Sequence, residues 1–253
     1  MVKQEKTKTC HESGSLKRIN FKNQYNTRKQ EDEKMTIEEL KKEIVKVGMR
    51  LLKDGHVIGS AGNISVRVKE GDNEIVLITP SNVKYVDITT KDILTIDMDA
   101  KVIDGERNPS VEKYLHLGVY KAREDVDAII HSHGLYSTIL STHNLSLPPI
   151  IEELVPYVGG EIVCAEYGEA GSPELAENVI KSLDEKNALL LPNHGSLCCG
   201  SHLEGAYTVL EYLERASKIY YKARLLGEPI LLPEDTVEFE EEIFEVFKES
   251  KKI

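Results

Sequence analysis

The sequence predicts a single α/β domain in which one sheet is covered by helices on both faces. The chain has 253 residues, of which 40% are hydrophobic, and that is enough for one sizeable core. Segments patterned as strands alternate along the chain with amphipathic helical segments, and some neighbouring strands are close enough to form hairpins. The sequence shows no internal repeat.

The first predicted element is a helix that begins after Met35. Thr36 to Glu39 form a capping box, apolar residues follow at helical spacing, and Gly55 ends the helix. Ser110 is the expected N-cap of the next helix. The predicted strands lie at 63–68, after a turn that contains Gly62, and at 74–78, 92–97, 101–103, 126–133, 161–165, 188–191 and 196–199. The predicted helices after the first lie at 111–123, 135–141, 173–183 and 203–226, and a last, acidic helix starts at about 233.

The first 34 residues differ in composition from the rest of the chain. They are polar and lack a periodic apolar pattern, which predicts a disordered tail or a non-native extension. Met35 is a plausible alternative start. We therefore expect residues 35–253 to form the folded domain.

Composition excludes several classes of function. The formal net charge of −11 argues against nucleic acid as a partner, because phosphate binding needs clustered Lys and Arg. No stretch approaches the length of a membrane span, and no apolar segment near the start resembles a secretory signal. The cysteines lack Cys-x-x-Cys spacing, which predicts reduced thiols in a cytoplasmic protein. The four are Cys10, Cys164, Cys198 and Cys199, and the last two are expected to pack in the core.

Three histidines carry the strongest chemical signal. His131 and His133 end the apolar strand at 126–133, and alternate residues of a strand point to the same face. His194 follows a second buried strand in an Asn-His-Gly turn. Three imidazoles that leave a fourth position open are typical of a catalytic zinc site. The spacing alone also fits a polar strand edge without a ligand, so both interpretations stay open at this point.

Glu112 and three polar turns are further candidates. Glu112 follows Ser110 by two residues at a helix start, where the helix dipole favours a carboxylate. Its position alone favours an acid that only stabilises the start of the helix. If Glu112 faces the histidines, it would instead be a fourth metal ligand or a base. The turns at Gly62-Asn63, at 79–82 and at Ser110 suit a phosphate, although ordinary turn chemistry explains each one alone. Nucleotide binding has no support, since neither a Walker loop nor Gly-x-Gly-x-x-Gly is present.

Other polar and aromatic residues have a structural interpretation. His116 lies one turn after Glu112 and is expected to pack rather than bind a metal. The other histidines are scattered without shared spacing. The tyrosines of the long predicted helix are expected to form core or subunit contacts; they are Tyr207, Tyr212, Tyr220 and Tyr221.

Five motifs in order resemble the class II aldolase/adducin family, over about residues 35–232. They are Gly62-Asn63-Ile64-Ser65-Val66-Arg67, Ile78-Thr79-Pro80-Ser81, Glu112 with His116-Leu117-Gly118-Val119-Tyr120, His131-Ser132-His133, and Asn193-His194-Gly195. Each motif is modest, but five in register are highly specific. The short gap between His133 and His194 is similar to the aldolase branch, because the family's epimerases carry a longer insertion there.

The resemblance implies a fold and a metal site. The fold is a single three-layer α/β/α domain with a central, mostly antiparallel sheet. One zinc ion per chain would lie on His131, His133 and His194, with Glu112 completing the shell in the empty site. The resemblance also implies a homotetramer whose active sites lie at subunit boundaries.

A sugar phosphate is the partner that the resemblance implies. Asn63, Ser81 and Ser110 correspond by position to phosphate-binding residues, and the neighbouring Gly62 and Thr79 would shape those loops.

Three positions depart from the family's pattern. Val111 stands where family aldolases usually have a second serine, and Asn82 stands where they usually have glycine. Both differences concern phosphate affinity. The family's proton-donating tyrosine falls near Glu152 or Glu153, and the nearby Tyr157 is displaced from it. This third difference bears on which aldehyde the enzyme accepts and on the stereochemistry of the reaction.

The resulting hypothesis is a reversible cleavage of a ketose 1-phosphate of the L-fuculose 1-phosphate type. The products would be dihydroxyacetone phosphate and a short aldehyde such as lactaldehyde. Zinc would stabilise the enediolate as a Lewis acid, and Glu112 would shuttle the proton at the nucleophilic carbon. The alternatives are a 4-epimerase or a methylthioribulose-phosphate dehydratase on the same fold, and a non-enzymatic adducin-like interaction domain. Glu112, where epimerases carry aspartate, argues against the epimerase, and the complete histidine set argues against the interaction domain.

Overall fold

A computed structural model describes residues 35–71 and 73–253. The extension predicted for residues 1–34 lies outside the described residues, and the division of the chain at residue 35 stays a prediction.

A seven-stranded sheet forms the middle of the molecule. Its strand order is β4-β3-β2-β1-β5-β7-β6, and every pair of neighbours is antiparallel. The strands are β1 (Asn63–Glu70), β2 (Asn73–Ile78), β3 (Leu94–Asp97), β4 (Val102–Asp104), β5 (Ala128–Ser132), β6 (Ala188–Leu191) and β7 (Gly195–Gly200). The mostly antiparallel sheet that the resemblance implied is therefore confirmed.

Seven helices accompany this sheet in the part of the chain that the structure describes. They are α1 (Ile37–Asp54), α2 (Lys113–Ala122), α3 (Leu135–Ser141), α4 (Val155–Val158), α5 (Pro173–Leu183), α6 (Leu203–Arg224) and α7 (Glu234–Glu249). Two short 3₁₀ helices, Thr90–Asp92 and Glu152–Leu154, lie in the connections.

Strand alternation divides the core into two apolar layers. Ile130 and Cys198 pack with α1 and α6 on one face of the sheet, whereas Ile129 and Cys199 pack with α2 and α5 on the other. All four residues are fully buried. Neighbouring residues of a strand point to opposite faces, so β5 and β7 contribute to both layers. The three-layer α/β/α arrangement expected from the resemblance is thus confirmed.

The boundaries of α1 follow the expected capping chemistry. Glu39 N donates to Thr36 Oγ1 over 3.3 Å, and Thr36 N donates back to the Glu39 carboxylate over 2.8 Å. Gly55 ends the helix at φ 79°, a left-handed conformation that glycine adopts without steric cost.

Arg67 on β1 fixes the end of α2 against the sheet. Its buried guanidinium donates to the carbonyl oxygens of Tyr120 over 2.7 Å and Arg123 over 3.0 Å, and it pairs with Asp127. These carbonyl groups belong to the end of the helix, which lacks internal donors there. The helix that begins beside Glu112 is therefore anchored to β1 at its far end.

The prediction of a strand at 161–165 is wrong. The backbone of Ile162 pairs with Leu147, while Ala165 N donates to Leu190 O over 2.9 Å on β6. The hydrogen bonds of this segment are thus divided between two neighbours. Neither neighbour forms the run of consecutive pairs that defines a strand.

Several predicted boundaries are also wrong by a few residues. The predicted strand at 92–97 begins at Leu94, because a 3₁₀ helix precedes it. The strand predicted at 101–103 spans Val102–Asp104. Ser110 is not the N-cap of α2: the helix starts at Lys113, with Glu112 as its N-cap. Strand β5, which carries His131, spans Ala128–Ser132 rather than 126–133, and helix α6 ends at Arg224 rather than at 226.

The acidic helix α7 packs on α4. Phe247 meets the Tyr157 ring edge-on at 5.5 Å, and the Tyr157 ring also stacks on Tyr212 at 4.1 Å. The Tyr157 ring is therefore held between Phe247 and Tyr212. In the described part of the chain, no helix combines the length and the apolar character that crossing a bilayer needs.

Candidate active site

Two turns of the sheet bring three histidines together. His131 lies in β5, His133 follows directly after that strand, and His194 lies in the turn between β6 and β7. Their ring centroids are 4.7–5.0 Å apart, and one nitrogen of each lies within 4.8 Å of the others. The structure therefore brings together all three histidines that the sequence predicted as ligands.

Two glycines allow the backbone to approach this closely. A Cβ on Gly195 would lie 2.2 Å from Ser132 O, where β7 begins its pairing with β5. A Cβ on Gly62, which has a φ of +74°, would lie 2.7 Å from His131 O. Real Cβ atoms do not approach other atoms at such distances. The glycines of the first and last motifs thus make room for the histidine backbone.

Hydrogen bonds orient the histidine rings. His131 Nδ1 lies 2.9 Å from Ser196 O and donates to it, which leaves the lone pair of Nε2 free. The Nε2 atoms of His131 and His133 lie 2.9 Å apart. The backbone N–H of His133 donates to His56 O over 3.0 Å.

Glu112 faces this cluster from the start of α2. Its Oε2 lies 3.3 Å from His131 Nε2, and its Oε1 lies 3.5 Å from His194 Nε2. Asn63 Nδ2 donates to Oε2 over 2.7 Å. Oε1 is buried and has no hydrogen-bond partner among the described residues. An orphaned carboxylate oxygen aimed at imidazole nitrogens is the arrangement expected of an oxygen that a cation would bind.

The protonation states also suit metal binding. Burial lowers the pKa of His133 to about 4, with help from His131 and His194, and burial likewise lowers the pKa of His194. Burial would raise the pKa of Glu112, but the neighbouring His131 and His194 outweigh it and bring that pKa below its usual value. Neutral imidazoles and an ionised carboxylate are the forms that bind a divalent metal. The residues present therefore fit a catalytic metal ion.

Hydrogen bonds of the backbone and of the Thr79 side chain join the turns predicted to bind phosphate. Thr79 Oγ1 accepts from Ile64 N over 3.1 Å, and Thr79 O accepts from Ser110 N over the same distance. Ser81 N donates to Asn108 O over 2.9 Å. The structure thus places Thr79, Ser81 and Ser110 beside the strand that starts at Asn63.

The side chains in these turns have local partners. Ser110 Oγ accepts from Glu112 N over 3.2 Å, so this serine supports the start of α2. Asn63 is bound to Glu112 and to His116. Asn82 has a φ of +58°, so the asparagine keeps a backbone conformation that the family's glycine adopts freely.

His116 has a larger role than the sequence indicated. It is not one of the three clustered histidines, and it is fully buried. Its ring bridges Asn63 Oδ1 and Ser65 Oγ. Two patterns could have revealed this contact. Asn63 and Ser65 alternate on one strand, and His116 follows Glu112 by four residues on one helix.

Comparison with known proteins agrees with this geometry. Residues 42–221 match the family described as Class II Aldolase and Adducin N-terminal domain. The chain belongs to this family. Its aldolases are metal-dependent lyases, and the chain is accordingly an enzyme of the class II aldolase type.

Several relatives are aldolases of sugar 1-phosphates. The chain is 34% identical to a 5-deoxy-D-ribulose 1-phosphate aldolase of Bacillus thuringiensis, over 81% of this chain and 94% of that one. It is 38% identical to an L-fuculose phosphate aldolase of Methanocaldococcus jannaschii, over 71% and 94%. A solved structure of an L-fuculose 1-phosphate aldolase is 37% identical over 82% and 96%, with a TM-score of 0.78.

Proposed function

We propose that this chain is a zinc-dependent aldolase that reversibly cleaves a ketose 1-phosphate to dihydroxyacetone phosphate and a short aldehyde. L-fuculose 1-phosphate, which would release lactaldehyde, is the first candidate substrate. The observation that carries the proposal is the buried Glu112 carboxylate beside the cluster of His131, His133 and His194, with its Oε1 3.5 Å from His194 Nε2 and without a hydrogen-bond partner among the described residues.

His131, His133 and His194 would hold the zinc ion, and Glu112 would complete its ligand set in the absence of substrate. When bound, the metal supplies Lewis acidity that stabilises negative charge at the substrate's ketone oxygen. Three imidazoles leave a coordination position for substrate, which distinguishes a catalytic zinc site from a structural one.

Glu112 would move the proton at the nucleophilic carbon of dihydroxyacetone phosphate. It suits this task because it is buried beside the histidines and because one oxygen has no hydrogen-bond partner among the described residues. Asn63 holds the second oxygen, so the carboxylate stays in place as its protonation changes. General acid or base catalysis of this kind contributes about 10²–10⁴-fold.

The turns around Gly62, Thr79 and Ser110 would receive the phosphate group. They meet beside Glu112, and they carry backbone amides and hydroxyl groups rather than an apolar lining. Ser81 and Asn63 would contribute side-chain groups. Asn63 has already given one amide hydrogen to Glu112, so a single N–H is left for substrate.

The names of relatives favour a second candidate substrate. The B. thuringiensis relative acts on 5-deoxy-D-ribulose 1-phosphate, and one from Rhodospirillum rubrum is a 5-methylthioribulose-1-phosphate/5-deoxyribulose-1-phosphate aldolase. A 5-deoxypentulose 1-phosphate would give the same ketone product and a different aldehyde. Aldol cleavage is common to both candidates.

We further propose a homotetramer with active sites at subunit boundaries. Exposed apolar residues border the site: Leu135, next to the His133 turn, is 62% exposed, and Val111, next to Glu112, is 60% exposed. A partner subunit would cover such a surface. Light scattering of the purified protein tests the assembly, and the cytoplasmic location stays a prediction.

The test combines metal analysis with product release. We expect about one zinc per chain and release of dihydroxyacetone phosphate from L-fuculose 1-phosphate or 5-deoxy-D-ribulose 1-phosphate. A chelator should abolish release, and zinc should restore it. The control variant is His143→Ala, which removes an exposed histidine outside the cluster and should keep the zinc content and the product release of the wild type. Zinc without release from either substrate would contradict the proposal, as would a protein without metal.

A further inference from the structure

We propose that His116 is a positioning residue for Glu112 and acts through the side-chain amide of Asn63. The inference rests on the proposed function, in which Glu112 moves the proton. His116 belongs neither to the metal cluster nor to the turns assigned to phosphate.

A continuous line of side chains connects His116 with Glu112. The two residues are four apart at the start of α2, so they lie on one side of the helix. Asn63 and Ser65 are two apart on β1 and face that side. Asn63 binds Glu112 Oε2 through Nδ2 and His116 Nε2 through Oδ1. Ser65 Oγ lies 2.6 Å from His116 Nδ1.

With Glu112 ionised and His116 neutral, the donors and acceptors along these hydrogen bonds can be assigned in only one way. An ionised Glu112 only accepts, so Asn63 Nδ2 donates and Asn63 Oδ1 faces His116. His116 Nε2–H therefore donates, and its Nδ1 must accept from the Ser65 hydroxyl. Ser65 Oγ in turn accepts from Tyr120, whose hydroxyl lies 2.7 Å away. Burial lowers the pKa of His116 to about 3, which keeps the ring in the neutral form that this assignment needs.

This line gives Asn63 a single orientation. A flipped amide would turn Oδ1 towards the Glu112 carboxylate and Nδ2 towards the Nε2–H of His116, so both contacts would be repulsive. Without His116, Asn63 Oδ1 is left buried and unpaired, and the amide can turn. Glu112 would then lose the bond that fixes Oε2 while Oε1 faces the cluster. Removing such an outer partner typically costs about 10–100-fold in activity.

A double-mutant cycle tests the role of His116. We expect His116→Leu to lower kcat for cleavage about 10–100-fold, and KM to rise by a smaller factor because Asn63 also offers one N–H to substrate. Asn63→Leu should lower kcat at least as much, and the double variant should be no worse than Asn63→Leu alone. His116→Gln, which keeps an N–H within reach of Asn63, should recover part of the loss.

Two further variants keep the test independent of folding. Val119→Ala removes a fully buried side chain of the same helix, and we expect an unchanged kcat. Ser65→Ala removes the donor to His116 Nδ1 and should lower kcat even if His116→Leu fails to fold. Additive losses in the cycle, or a Val119→Ala loss equal to that of His116→Leu, would overturn the role of His116.

Nuclear magnetic resonance supplies a readout that needs no activity. With ¹⁵N-labelled histidine in the zinc-free protein, His116 should stay neutral with its proton on Nε2 from pH 5 to pH 8. Asn63→Leu should produce a mixture of tautomers. A fixed tautomer in a protein that releases no dihydroxyacetone phosphate would overturn the proposed function and support the line of hydrogen bonds. A mixed tautomer in the wild type would overturn the role of His116.

Discussion

Replacing Glu112 with alanine should separate proton transfer from metal binding. Three imidazoles remain in the variant, so we expect about one zinc per chain. Glu112 is the acid that the described residues place against the cluster, at 3.3 Å from His131 and 3.5 Å from His194. Exchange of the C3 proton of dihydroxyacetone phosphate should therefore fall about 10²–10⁴-fold. That loss corresponds to ~3–5 kcal/mol of transition-state free energy.

The assay follows exchange of the C3 proton into D₂O by proton resonance, with zinc content measured on the same sample. Glu166→Ala, which removes an exposed carboxylate 3.7 Å from Lys181 Nζ, is the matched control and should exchange at the wild-type rate. Exchange by the Glu112→Ala variant within about threefold of the wild type, at full zinc content, would refute the assignment of this proton transfer to Glu112.

Three further predictions concern metal and pH. Removing zinc from protein saturated at about 100 times its Kd should cost ~2.7 kcal/mol and lower Tm by about 5–10 °C in a thermal scan; an unchanged Tm would argue against a bound ion. His116 takes up a proton at about pH 3 in the folded state and at about 6.5 in the unfolded chain. Stability contributed by its neutral form is therefore present above pH 6.5 and lost as pH falls from about 6.5 to 3. The urea midpoint of the zinc-free protein should be lower at pH 5 than at pH 7, and His116→Leu should shrink that difference. Gly195→Ala places a Cβ 2.2 Å from Ser132 O, so zinc content after dialysis should fall below that of the wild type.

Most of the site could be predicted because its residues sit on regular elements with short-range patterns. The side chains of His131 and His133 lie together, as their two-residue spacing predicted, although the strand ends between them. The apolar run before His194 is β6, and the turn predicted after it is present, with Asn193 at a φ of +56°. Glu112 was ambiguous because a residue's position at a helix start says nothing about what it faces.

The errors came from contacts between segments distant in the sequence. The segment at 161–165 has the composition of a strand, but its partners, Leu147 and Leu190, lie on different neighbours. The contacts of Asn63 with Glu112 and His116 depend on the packing of α2 against β1, which no local pattern encodes. The hydrogen bonds of His116 depend on the same packing: the spacing of Asn63 and Ser65, and that of Glu112 and His116, places each pair on one face but does not bring the two faces together.

Cys198 and Cys199 lie on opposite faces of β7, so their reactivity reports when this strand separates from the rest of the sheet. Burial raises the pKa of Cys199 to about 12 and that of Cys198 well above its usual value, so we expect neither thiol to react with an alkylating reagent while β7 stays paired. Alkylation of these thiols then counts the openings that separate β7 from its neighbours. The same strand carries the Ser196 carbonyl that orients His131. Slower alkylation on adding zinc would measure how strongly the metal holds the sheet together.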